Sequence, residues 1–138
     1  MPTSRQATAM ILAMASTLAT EPPANAAALT ACEALPAATA TLVVGRTVKA
    51  TDAPWSAATL SAGKSSVCIY SAGAPIFELG ILMAASREGA AQLMAATSRR
   101  PSERTLSRQK RNLIVSAITL NHDPAKLAAL VDAAIKNL

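Results

Sequence analysis

SVCIYSAGAPIFELGILM, residues 66–83, is the stretch that decides the fold. Ser66, Cys68 and Tyr70 alternate with Val67 and Ile69, which is the period of a strand. Further on, Phe77, Leu79, Ile81 and Met83 fall on one face of a second extended run from Ile76 to Met83. Ser71-Ala72-Gly73-Ala74-Pro75 between them has turn composition, so the two runs are read as a hairpin.

Outward from that hairpin the pattern continues. Residues 84–98 have helical composition, with Leu93 and Met94 among alanines, and Pro101 ends the run. Residues 112–120 (NLIVSAITL) are apolar on both faces, as a central strand is. Asp123 then stands as an N-cap with Pro124 at the first helical position. Leu127, Leu130, Val131, Ala134, Ile135 and Leu138 recur at helical spacing, and Asp132 and Lys136 form an i,i+4 pair on another face.

Before the hairpin, Cys32 to Gly45 reads as a short helix with Pro36 in its first turn, although Thr41 and the Leu42-Val43-Val44 run equally suit a strand. Residues 46–50 (RTVKA) read as a strand and residues 51–65 as a loop, with Trp55 expected to cover the end of the core. The order α, β, β-hairpin, α, β, α predicts an α+β domain, an antiparallel sheet of about four strands with helices packed on one side.

The N-terminal stretch carries the functional reading. Arg5 is followed by an uncharged apolar run, Ala7 to Ala19, and by Ala24-Asn25-Ala26, a small-x-small cleavage pattern. The reading is a signal peptide over 1–26 and one exported domain over 27–138, periplasmic or secreted. A run of about 13 apolar residues is shorter than the ~20 a bilayer core demands, so no transmembrane helix is expected in the mature chain. Export removes ATP-driven, NAD-driven and genomic roles, and it puts Cys32 and Cys68 where a disulfide persists. With two cysteines only one intramolecular pairing exists. An alternative is a lipoprotein, because Leu29-Thr30-Ala31-Cys32 has the form of a lipobox that would anchor the chain by lipid at Cys32. Against it, residues 20–25 separate that motif from the apolar run.

Charge is concentrated. The chain carries a formal net charge of +5, and Arg99, Arg100, Arg104, Arg108, Lys110 and Arg111 stand against Glu103 alone in one segment. Such a segment can grip an anionic envelope polymer or lipid headgroups, or it is an exposed loop or short helix that keeps an alanine-rich protein soluble. It holds no aromatic residue to stack bases, which argues against specific nucleic-acid recognition.

Catalytic signals are sparse. Gly63-Lys64-Ser65 lacks the first glycine of a phosphate loop, since Ala58 stands in its place. His122 is the only histidine, and a small hydrolase built on it is the enzyme alternative. No Gly-x-Ser-x-Gly elbow supplies a nucleophile, and one histidine with scattered carboxylates makes no metal site. No catalytic residue, cofactor or metal is therefore assigned. The expected role is a binding or interaction domain whose partner is an unidentified envelope component or protein. A cavity lined by Ile and Leu would point to a small apolar ligand, and a flat surface to protein contact.

Cys32 opening a short helix that ends at Gly45, the Ser65-Ser66-x-Cys68-x-Tyr70 strand, and a final strand followed by an Ala/Leu-rich helix together resemble small secreted or lipid-anchored bacterial domains of unknown function. The similarity runs from Ala31 to Leu138. It implies an α/β sandwich, bridged in many such domains by the two cysteines, and it implies no activity.

Overall fold

The computed structural model describes residues 29–98, 103–120 and 123–138. The expected signal peptide over 1–26, Arg99, Arg100 and His122 lie outside the described residues.

The chain opens with two short helices, α1 (Ala31–Ala34) and α2 (Ala37–Val44). They are separate because proline has no N–H to continue a helix, and Pro36 stands at the N-cap of α2 rather than in the first turn of a single helix. Gly45, at φ 88°, ends α2 in the left-handed conformation that glycine adopts without strain. Five strands follow: β1 (Lys49–Asp52), β2 (Ser65–Ala72), β3 (Ala74–Met83), β4 (Thr105–Lys110) and β5 (Leu113–Thr119). Helix α3 (Arg87–Ser98) lies between β3 and β4. A 3-10 turn over Pro124–Lys126 leads into the last helix, α4 (Leu127–Lys136).

The strands form one antiparallel sheet in the order β1-β2-β3-β5-β4. The α+β architecture is as the sequence predicts, with five strands instead of about four. The additional strand is β4, drawn from the basic segment that was expected to be a loop or short helix. The predicted hairpin is β2–β3, turning at Gly73. Strand β1 lies three residues later at its start than the Arg46–Ala50 reading placed it.

Alternation assigns the two faces. Cys68 pairs with Leu79 and Tyr70 with Phe77 across β2–β3, while Ile81 pairs with Val115 and Leu79 with Ala117 across β3–β5. All of these are buried and form the main core with Leu35, Leu127, Leu130 and Val131. Helices α1 and α4 pack on this inner face, and α2 packs against α4. Helix α3 departs from the expected one-sided packing and lies on part of the outer face, where Ala90 and Met94 meet the outward-facing Leu82 and Ile114 together with Ala84. Trp55 does not cover the core: it is 66% exposed, and the loop's contribution is Leu60.

The core has one aromatic pair, Tyr70 stacked on Phe77 with ring centroids 4.4 Å apart and planes 6° from parallel. Asp123 caps the 3-10 turn as predicted, its carboxylate accepting the Ala125 N–H at 3.0 Å.

Candidate functional site: a groove on the outer sheet face

Three side chains that point inward from β2 hold α1. The Ala31 N–H donates to Ser66 Oγ at 2.8 Å, Cys68 is bonded to Cys32, and the Tyr70 hydroxyl donates to the Leu35 carbonyl at 2.5 Å. Ser66, Cys68 and Tyr70 are all fully buried. The Asn137 amide adds a fourth tie, donating to the Ala34 carbonyl at 2.7 Å. Isolated helices shorter than roughly 12–15 residues are marginal in water, so four-residue α1 exists because these groups satisfy it. The Ser-x-Cys-x-Tyr pattern is thus a structural clasp. Burial pushes the Tyr70 phenol well above its usual range, and the Asp52 carboxylate adds to the shift.

The N-terminus of α1 is also closed by a capping box that the sequence reading missed. Thr30 Oγ1 accepts the Glu33 N–H at 3.3 Å, and Glu33 Oε1 accepts the Thr30 N–H at 2.9 Å. These bonds hold the Glu33 carboxyl below the ordinary range, the Thr30 backbone contributing most. The signal was present as Thr-x-x-Glu over residues 30–33. It overlaps Leu29-Thr30-Ala31-Cys32, whose composition also has the form of a lipobox.

The basic segment is tied to the last helix. Arg108 pairs with Asp132 at 2.6 Å, so Asp132 has its partner on β4 and not at Lys136. Lys110 Nζ donates to the Ile135 carbonyl at 3.1 Å and Arg111 to the Leu138 main-chain oxygen at 2.9 Å, where the carbonyl end of a helix attracts cations. Arg104 donates to the Leu120 carbonyl at 3.2 Å. Four of the six candidate anion-binding side chains therefore bond within the fold. Among the described residues no group of His, Cys, Asp and Glu is arranged to hold a metal ion.

The outer face of the sheet carries the feature most suited to a ligand. Register places Ser107, Ser116, Gly80 and Val67 in one row across β4, β5, β3 and β2. The row on one side contains Ile118 and Ile69, with Glu78 between them, and the row on the other contains Ile114 and Leu82. Small side chains between larger ones leave a trough across the strands. Helix α3 walls it with Leu93 and Thr97, making a half-open groove of about 320 Å³. Leu93 and Ile118, 44% and 38% exposed, are two of its apolar walls.

Gly80 sets the depth. A Cβ built there meets nothing closer than 3.9 Å, so no neighbouring group requires glycine. Glycine weakens a strand interior, and its effect at this position is open space above a central strand. On the floor, the hydroxyls of Ser107 and Ser116 lie 2.7 Å apart in a mutual hydrogen bond. One hydroxyl hydrogen serves that bond, which leaves the other to donate elsewhere. Sequence reasoning missed this site because it arises from four-strand register.

No protein-family model matches the chain, and neither the curated proteins nor the solved structures compared with it supply a match, so the functional argument rests on the chemistry of these surfaces.

Proposed function

We propose that the protein is an exported, periplasmic or secreted domain that acts by binding rather than catalysis, and that its binding surface is the groove above Gly80. The observation that carries this reading is the half-open groove itself, with Leu82, Leu93, Ile114 and Ile118 among its walls. Its volume lies at the lower end of the ~300–1,000 Å³ range of small-molecule sites.

Export is supported by the apolar run and small-x-small pattern before Ala27, and by the Cys32–Cys68 bridge. Cleavage after Ala26 leaves Thr30 and the Ala31 N–H in place to hold α1. Processing at Cys32 as a lipoprotein would remove both, and acylation would need the sulfur that the bridge contains. The reading agrees with the resemblance to small secreted bacterial domains.

Two measurements test the proposal. Native protein recovered from its source should begin at Ala27, and its intact mass should rise by two hydrogen atoms on reduction. A product beginning at Met1 with two free thiols would refute export. Saturable binding of a small apolar probe, lost when Gly80 is enlarged, tests the groove.

A further inference from the structure

The groove's lining also indicates what class of molecule it takes, an inference that rests on the binding role proposed above. Among the described residues, none of the twelve that line it carries a charge. Its polar side-chain groups are hydroxyls, with Ser107 and Ser116 on the floor, Thr97 and Thr105 toward the α3 and β4 side, and Ser65 at the β2 edge. Glu78 stands in the adjacent row between Ile69 and Ile118, where its carboxylate repels an anion approaching along that side. An ionic headgroup would find no counter-charge among the described lining residues and would lose water on entering the groove.

Size separates a small ligand from a protein partner. A standard protein interface engages roughly 20–30 residues a side, whereas this groove is formed by twelve and is bounded by α3. The row from Val67 to Ser107 runs across the strands, with apolar Val67 and Gly80 on the β2 and β3 side and the hydroxyl pair toward β4, while Ser65 lies at the β2 edge. We infer that the ligand is an uncharged amphiphile: its hydrocarbon portion lies over Gly80 between Ile118 and Leu82, and its hydroxyl or carbonyl oxygen bonds to the Ser107–Ser116 pair.

The experiment uses the oxidised mature protein and the uncharged dye N-phenyl-1-naphthylamine, whose fluorescence rises in apolar surroundings. Competitors are 1-decanol, decanoate and decyltrimethylammonium, each below its micellar concentration. Decanol should displace the dye at concentrations about tenfold lower than either ion, because each ion must be desolvated without a partner. Gly80→Ala should weaken dye binding about threefold and Gly80→Val about tenfold or more, as the trough fills. The two variants give a graded series, and far-UV circular dichroism checks that each retains its fold. Ser107→Ala with Ser116→Ala should weaken decanol about threefold to tenfold relative to the dye's own affinity for that variant.

If decanoate or decyltrimethylammonium competes as well as decanol, the uncharged class is overturned and the groove still stands as the binding surface. If the paired serine variant binds decanol like the wild type, the headgroup assignment falls. If the wild type shows no saturable dye binding, or folded Gly80→Val binds the dye unchanged, both the ligand class and the groove as binding surface are overturned.

Discussion

The Tyr70 hydroxyl donates to the Leu35 carbonyl at 2.5 Å, joining the second strand to the turn that follows the first helix. Both residues are fully buried, so neither group has water as an alternative partner. Tyr70→Phe keeps the stack on Phe77 and removes only the hydroxyl, with its bond to Leu35 and its longer 3.5 Å bond to the Ala31 carbonyl. Leaving a buried carbonyl without its donor costs about 1–3 kcal/mol. Urea unfolding of the oxidised protein should show that loss as a lower midpoint at unchanged slope.

The same phenol predicts alkaline sensitivity. Its folded pKa is raised, so above the ordinary phenol value near 10 the unfolded chain releases this proton while the folded chain retains it. Stability from Tyr70 is complete below about pH 10 and declines as pH rises toward the folded value. Unfolding midpoints measured from pH 8 to pH 12 should fall more steeply for the wild type than for Tyr70→Phe. Parallel curves would contradict the assignment.

Removing the bridge should weaken the domain without dislodging α1. The cysteines are 36 positions apart, and closing a loop of that size is expected to stabilise by roughly 3–4 kcal/mol on the chain-entropy model. Bonds from Ser66, Tyr70 and Asn137 remain in the paired variant Cys32→Ser with Cys68→Ser. Hydrogen exchange at the Ala31 amide should stay protected below the unfolding transition. Exchange at the rate of an unstructured peptide would show that sulfur alone holds the helix.

Thr30→Ala should cost about 0.5–2 kcal/mol by opening the capping box. Glu33 has a lowered folded pKa, so its contribution is present above the ordinary carboxylate range and is lost as pH falls through it. The difference in stability between wild type and Glu33→Gln should therefore narrow on acidification. A difference constant from pH 7 to pH 3 would place the stabilisation elsewhere.

Charge substitutions should separate structure from anion binding. Arg108→Ser removes the pair to Asp132, both partly exposed, and such pairs contribute at most about 1 kcal/mol. If the basic segment grips anionic polymers, heparin retention should fall with salt and disappear when Arg99, Arg100, Arg104 and Arg108 all become Ser. Retention unchanged by those substitutions would remove that reading.

Legibility in the sequence followed how local each signal was. The β2–β3 hairpin, the cap at Asp123 and the apolar face of α4 are written in residues close together, and each was read from them. Strand β4 was hidden by composition: Leu106, Arg108 and Lys110 share a face, but two of the three are cations that reach the last helix. Its turn was hidden as well. Arg111 adopts φ 56°, a conformation that two-residue hairpin turns usually give to Gly, Asn or Asp. The groove is less local still, since Val67, Gly80, Ser107 and Ser116 become neighbours only through three strand pairings.

The clasp around α1 also orders events as the chain emerges. Its four residues are translated ahead of every strand, yet the hydroxyls and sulfur that hold them belong to β2. The first part of the domain to leave the ribosome must therefore wait, unstructured, for a later segment to receive it. A transporter that passes unfolded polypeptide would meet no premature obstacle at this end.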